Sequence, residues 1–142
     1  MHRRKALLIL TLATFPLAGA SGFSGESALQ WTKDLVALGP RPSGSAAMAK
    51  TQALILQRLK EWKVEVQEDR FEAQTPAGRV GMMNSIGRIP GTSGKAVAVS
   101  GHYDTKRLPG KFVGANDGGA SAGFLLELAR TAAGKPRKDD LY

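Results

Sequence analysis

Residues 96–104, AVAVSGHYD, are the stretch from which the fold is predicted, because they join an apolar strand to a polar segment that can carry chemistry. The run at 96–99 is short, continuous and apolar, which is typical of a buried strand. Residues 119–133 follow as an amphipathic helix, and Gly134 is placed to end it. A strand, a loop and a helix in this order predict an α/β fold, in which ligands lie beyond the carboxyl ends of the strands.

The sequence before this stretch predicts two covering helices and a pair of strands. Ser27 begins a capping box that would open the first helix, and Ser45 would cap the second. The apolar period then changes from helical to two, which favours strands on either side of a turn at 75–78. The predicted elements are helices at 28–38 and 45–62 and strands at 64–71 and 80–89. A further strand is expected after the third helix.

The first 20 residues have the pattern of a secretory signal peptide. Residues 2–5 are basic, residues 6–15 are apolar, and Ala18-Gly19-Ala20 matches an Ala-x-Ala cleavage site. An uncleaved membrane anchor is the alternative, but the apolar run is shorter than the roughly 20 residues that a bilayer span needs. We therefore predict a secreted or periplasmic protein formed by residues 21–142, without stable membrane association after cleavage.

Charge and cysteine content narrow the classes of partner. The formal charge is +8, and removing Arg3, Arg4 and Lys5 with the signal leaves +5. The remaining basic residues are interleaved with acidic ones, which is typical of a solvated surface and predicts no binding to nucleic acid. Because the chain has no cysteine, any metal must be bound by histidine and carboxylates.

Three potential metal-site residues flank the loop between the strand and the helix. His102 and Asp104 are separated by one residue, so they can project to the same side of an extended segment. Each residue also has an ordinary explanation, since a polar loop often follows a strand and Asn116 or Asp117 could simply cap the helix. The loop is short enough for its two ends to converge, and nearby glycines leave room for close backbone approach. The joint pattern therefore indicates a site with nitrogen and oxygen ligands.

These residues resemble the zinc aminopeptidases of metallopeptidase family 28 and the related glutaminyl-peptide cyclotransferases. The resemblance rests on GHYDTK at 101–106, FVGAND at 112–117 and LGPRPSGS at 38–45, which occur in the family's order. It implies a three-layer α/β/α fold with a mixed central sheet, one or two zinc ions, and peptide or protein amino termini as substrates. Lys106 and residues 112–115 are closer to the cyclase branch, whereas residues 116–118 have the more general peptidase form, so both alternatives stay open.

The resemblance also implies a role for each candidate residue. Asp117 matches the metal-ligand aspartate, which bridges two zinc ions in the dinuclear aminopeptidases and holds one in the cyclases. His102 matches a histidine that binds metal only in the dinuclear enzymes, and Asp104 matches the catalytic-site carboxylate that orients the site. A cyclase uses zinc to polarise the amide of an amino-terminal glutamine, whereas a peptidase activates water on the metal.

The ligand set of a working zinc site is not complete in this sequence. A catalytic zinc takes about three protein ligands, and the family places a glutamate base directly before a ligand glutamate. After Asp117 the acidic residues are Glu127, Asp139 and Asp140, and the only other histidine is His2. We therefore expect residues 21–142 to be the amino-terminal part of a zinc-dependent peptidase or cyclase domain that alone binds zinc poorly and is inactive. The alternative of another class is a non-catalytic secreted binding module that has kept the strand, loop and helix.

Overall fold

A computed structural model describes residues 22–142, which form two helices, then three strands, then a third helix and a last short strand. The predicted signal peptide at 1–20 lies outside the described residues. The elements are α1 (Gly25–Ala37), α2 (Ala46–Glu61), β1 (Glu65–Thr75), β2 (Gly78–Arg88), β3 (Ala96–Val97), α3 (Ala120–Ala132) and β4 (Asp140–Leu141). This order agrees with the predicted α/β organisation. No helix within residues 22–142 is long and apolar enough to cross a lipid bilayer.

Serine side chains set the first residues of α1 and α2. Ser45 caps α2, as predicted, and its hydroxyl accepts a hydrogen bond from the Met48 N–H at 3.0 Å. The predicted start of α1 at Ser27 is wrong, because Ser24 has the extended backbone of a cap and its hydroxyl accepts from the Ser27 N–H. Ser27 is thus inside the first turn of α1.

The strands form two separate pairs among the described residues. β1 and β2 make an antiparallel hairpin in which Thr75 lies opposite Gly78, so the predicted strand pair and its turn are confirmed. β3 pairs with β4 in parallel, and β4 is the strand expected after the third helix. His102 lies five residues beyond Val97, past the carboxyl end of β3.

A small core holds the helices against the strands, and α1 and α3 approach each other closely. A Cβ atom added at Gly123 on α3 would lie 2.2 Å from the Thr32 hydroxyl and 2.6 Å from the Ala28 carbonyl oxygen. Only glycine therefore allows this spacing without a shift of one helix. The buried apolar cluster consists of Leu35, Ile55, Leu59, Val64, Ile89, Ala122 and Leu126.

The prediction that residues 96–99 form a buried strand is wrong for this structure. Val97 is 52% exposed and Val99 37% exposed, and only Ala96–Val97 pairs with another strand. The reason is that β3 has one strand neighbour among the described residues, β4. A cavity of about 410 Å³ lies beside this uncovered surface, and core side chains such as Leu59 and Leu126 line it. The cavity is therefore an opening in the apolar core.

Glu127 connects the amino end of α1 to α3 from a fully buried position. One carboxylate oxygen accepts from the Ser24 N–H at 3.0 Å, and the other accepts from the Trp31 indole N–H at 3.4 Å. Arg130 donates to both oxygens, at 2.7 and 2.8 Å. The hydrogen bonds from Arg130, helped by those from Ser24 and Trp31, hold the pKa of Glu127 below its usual value.

We expect Glu127→Gln to lower the free energy of unfolding at pH 7 by about 1 to 3 kcal/mol, because charge-assisted hydrogen bonds are lost. A carboxyl group whose pKa is lower in the folded chain than in the unfolded chain stabilises the fold at any pH above its unfolded-state pKa. This stabilisation is lost as the pH falls through the folded-state pKa. The wild-type chain should therefore lose stability below about pH 4.3 more steeply than the variant. Urea unfolding between pH 3 and 7 measures this, and Glu72→Gln on exposed β1 is the matched control. Equal slopes for wild type and Glu127→Gln would contradict the assignment.

Candidate metal centre

The three residues singled out by the sequence lie together, with His102 in the middle. Its Nε2 atom is 3.0 Å from Asp117 Oδ1, and its Nδ1 atom is 3.2 Å from Asp104 Oδ1. All three side chains are about half exposed, so the group is open to solvent on one side. The loop between β3 and α3 thus returns to the point at which it began.

The His102 ring has a carboxylate oxygen beside each of its nitrogens, and a neutral imidazole carries only one N–H. Whichever nitrogen carries that hydrogen, the other presents a lone pair to a carboxylate oxygen. A second proton or a metal cation would satisfy that remaining contact. An imidazole nitrogen and a carboxylate oxygen are both donors that zinc accepts, and the bond from Nδ1 to a carboxylate is the usual support of a metal-bound histidine.

These residues fit part of a zinc site. Asp104 Oδ1 contacts Nδ1 of the His102 ring. The atoms left to bind a metal are therefore His102 Nε2 and Asp117 Oδ1, which face each other. Within residues 22–142, no group of three or more histidine, cysteine, aspartate or glutamate side chains is arranged to hold a metal ion. Glu127 is not part of this group, because its carboxylate accepts hydrogen bonds from Ser24, Trp31 and Arg130.

An irregular turn at Ala115–Gly119 brings Asp117 back to His102. Asp117 and Gly118 have non-helical backbone angles there, and Gly118 has a φ of 87°. A Cβ atom at Gly118 would lie 2.5 Å from the Asp104 carbonyl oxygen and 3.1 Å from the His102 ring. The alternative that Asp117 caps α3 is not what the structure has, because Gly119 is at the cap position and no side chain bonds there.

Two serines that sequence reasoning did not single out support the same loop. The Ser121 hydroxyl donates to the His102 carbonyl oxygen at 2.7 Å and lies 3.1 Å from the Gly118 carbonyl oxygen. The Ser43 hydroxyl is 3.4 Å from Asp104 Oδ2, which leaves Oδ1 for the imidazole. Ser43 belongs to the segment 38–45 that carried part of the resemblance, and this was the only signal that pointed to it. Both serines therefore orient residues of the site from outside it.

Tyr103 connects the site to β2 of the hairpin. Its hydroxyl donates to the Met83 carbonyl oxygen and lies 3.4 Å from the Gln52 amide nitrogen. A cavity of about 190 Å³ adjoins His102 and Asp104 on this side, with Phe71 and Met82 in its wall. The polar group is thus next to a small partly apolar hollow, an arrangement common in ligand sites.

Comparison with known proteins shows which proteins this chain is similar to. A sequence profile described as Peptidase family M28 matches residues 84–141, which contain all three site residues. The glutaminyl-peptide cyclotransferase of Boiga irregularis is 37% identical over 98 residues, covering 65% of this chain and 26% of that protein. A crystal structure of Acidobacteriales bacterium glutaminyl cyclase superposes with a TM-score of 0.76 and 32% identity, over 92% of this chain and 47% of that one.

Part of the chain thus matches metallopeptidase family 28, and the chain is similar to glutaminyl-peptide cyclotransferases. A Zn-dependent exopeptidase from Parabacteroides distasonis also superposes, with a TM-score of 0.75 and 26% identity, over 84% of this chain and 44% of that one. Both branches named by the resemblance therefore occur among the similar structures. The superpositions confirm the α/β fold class.

Family members are longer than this chain. It spans about a quarter of the length of the curated cyclotransferases it matches and a little less than half of the solved structures. The matched part contains the loop from His102 to Asp117.

We expect Gly118→Ala to move the His102 ring and to lower the free energy of unfolding by about 1 to 3 kcal/mol, through collision and backbone strain. Gly110→Ala is the control in the same loop, because Gly110 also has a positive φ, 84°, but nothing within 4 Å of an added Cβ. The nitrogen resonances of the His102 imidazole should shift in the first variant only. If both variants leave the ring resonances at their wild-type positions, the close packing of Gly118 on His102 is refuted.

Proposed function

We propose that residues 21–142 form the amino-terminal part of the catalytic domain of a secreted or periplasmic zinc enzyme that acts on peptide amino termini, as a glutaminyl-peptide cyclotransferase. The observation that carries the proposal is the convergence of His102 Nε2 and Asp117 Oδ1 at 3.0 Å beyond the end of β3, with Asp104 on the other ring nitrogen. The cyclotransferases among the similar proteins support the choice of reaction. Export is supported by the signal pattern of residues 1–20.

Each of the three residues has a separate task in this proposal. Asp117 is the metal ligand in both reactions, and His102 becomes a second ligand if the site holds two zinc ions, as in the dinuclear aminopeptidases. Asp104 is the positioning carboxylate that keeps the hydrogen of the imidazole on Nδ1. A zinc ion bound there would polarise the amide carbonyl of an amino-terminal glutamine, so that the α-amine of the same residue attacks and ammonia leaves. The half-exposed ring of His102 leaves one side of the site open to a peptide end.

Aminopeptidase activity is the second candidate, and specific observations favour it as well. The matching family profile is that of a peptidase, and a Zn-dependent exopeptidase is among the similar structures. The same ligands would then serve hydrolysis, with water in place of the α-amine as the nucleophile. The two reactions differ in their products, so one assay separates them.

The test uses the full-length protein encoded by the gene of this chain, supplied with zinc, and identifies the compound that it releases from each substrate. We expect ammonia release from a glutamine-headed peptide, and no amine release from aminoacyl anilides. Asp104→Asn should slow turnover about 10- to 100-fold, as the loss of a residue that supports a metal ligand usually does. Asp117→Asn should slow turnover further. Asp139→Asn is the control, since Asp139 bonds Ser93 near the amino end of β3, away from His102.

Other outcomes of the assay have definite meanings. Amine release without ammonia would replace the cyclotransferase with the aminopeptidase. If zinc binds and neither product forms, the chain belongs to a non-catalytic binding module and the enzyme proposal is wrong.

A further inference from the structure

Arg41 lies in the link between α1 and α2 and is fully buried. Its guanidinium donates hydrogen bonds to four backbone carbonyl oxygens, and these acceptors belong to Leu35 at 3.2 Å, Gly39 at 3.0 Å, Tyr103 at 3.2 Å and Gly114 at 3.4 Å. A buried charge is costly unless its hydrogen bonds are made, and here carbonyl groups make them. Burial lowers the pKa of Arg41, and the charge of Asp104 partly offsets this.

Two of the four acceptors lie at opposite ends of the loop that forms the candidate site. Tyr103 directly follows His102, and Gly114 is three residues before Asp117. The Arg41 backbone adds two more bonds at the first end, because its N–H donates to the Thr105 hydroxyl at 2.8 Å and its carbonyl oxygen accepts from the Thr105 N–H at 3.0 Å. One residue is therefore bonded to both ends of the segment 103–114.

The bond to Gly114 acts on a carbonyl oxygen that already supports the turn carrying Asp117. The same oxygen accepts from the Gly119 N–H at 3.0 Å, so Gly114 is held between Arg41 and the end of the turn. Without the guanidinium, the Gly114 carbonyl would keep only its bond from Gly119, and the turn that brings Asp117 to His102 would be held less firmly. Lysine could not replace these bonds, because a single ammonium lacks the planar fork of donors that reaches several carbonyls at once.

We propose that Arg41 is a positioning residue that holds the two ends of the loop at the separation at which His102 Nε2 and Asp117 Oδ1 face each other. Arg41 touches neither atom and acts through the carbonyls of Tyr103 and Gly114. The inference extends the proposed function, but its main test concerns the loop itself and needs no turnover.

Hydrogen exchange in the full chain tests this directly. The Gly119 amide reports on the loop, and the Val64 amide, bonded to the Leu59 carbonyl at 3.0 Å, reports on the remote core. Arg41→Lys keeps the charge, and we expect it to speed exchange at Gly119 about tenfold more than at Val64, as loss of charge-assisted hydrogen bonds implies. Glu127→Gln is the matched control, because it removes an equally buried charge that does not contact the loop.

A second readout follows the response of His102 to zinc. His2 and His102 are the only histidines, so His2→Gln leaves one imidazole whose nitrogen resonances can be titrated with Zn²⁺. Arg41→Lys should need about tenfold more Zn²⁺ for the same shift, as expected when support of a ligand is lost. In Arg41→Ala, ethylguanidinium should restore the wild-type exchange and zinc response, and ethylammonium should not. If Arg41→Ala does not fold, Arg41→Lys still decides the matter.

The outcomes are distinguishable from failure of the proposed function. If Arg41→Lys leaves Gly119 exchange at the wild-type rate, or speeds Gly119 and Val64 equally, Arg41 is only a general stabiliser and the proposal is overturned. If the wild-type imidazole does not respond to Zn²⁺, the chain alone binds zinc as poorly as its incomplete ligand set predicts, and the exchange comparison by itself decides the role of Arg41.

Discussion

The candidate site depends on one close approach, that of the backbone at Gly118 to His102. The chain leaves β3 through His102 and Asp104, and it must return so closely that an added Cβ would lie 2.5 Å from the Asp104 carbonyl oxygen. Glycine with a φ of 87° allows this return. Asp117, the preceding residue, thereby reaches the free nitrogen of the imidazole, which Asp104 orients from the other side.

That return is stabilised by helices that are distant in sequence. α3 follows the turn directly and packs closely on α1 at Gly123, while Glu127 bonds the amino end of α1 across 103 residues. Arg41 joins the link after α1 to Gly114, 73 residues away. Arg41 therefore bonds the loop itself, whereas Glu127 connects α1 to α3 without contacting the loop.

Features governed by neighbouring residues could be predicted from the sequence. Ser45 and the apolar period of α2 are local signals, and the hairpin follows from alternation around the turn at 75–78. The close grouping of His102, Asp104 and Asp117 could be expected from a short loop rich in glycine. The start of α1 was misplaced, because Ser24 and Ser27 are both serines that could cap a helix and the structure uses Ser24, whose N–H is also bound by the distant Glu127. The exposure of Val97 could not be predicted, because burial of a strand depends on its neighbours in the sheet.

The similarity to known proteins and the geometry of the site point to the same chemistry. The residues that the Peptidase family M28 profile matches include the whole loop, and the facing nitrogen and oxygen atoms can share a metal cation or a proton. The central claim is that Asp117 binds a metal ion beside the His102 imidazole. The direct test is an anomalous difference map at the zinc absorption edge, recorded from Zn²⁺-soaked crystals of the full-length protein encoded by the gene, because residues 21–142 alone are expected to bind zinc poorly. We predict a peak at Asp117 Oδ1 beside the His102 ring, and a map with no peak there, or with zinc bound only elsewhere, would contradict the claim.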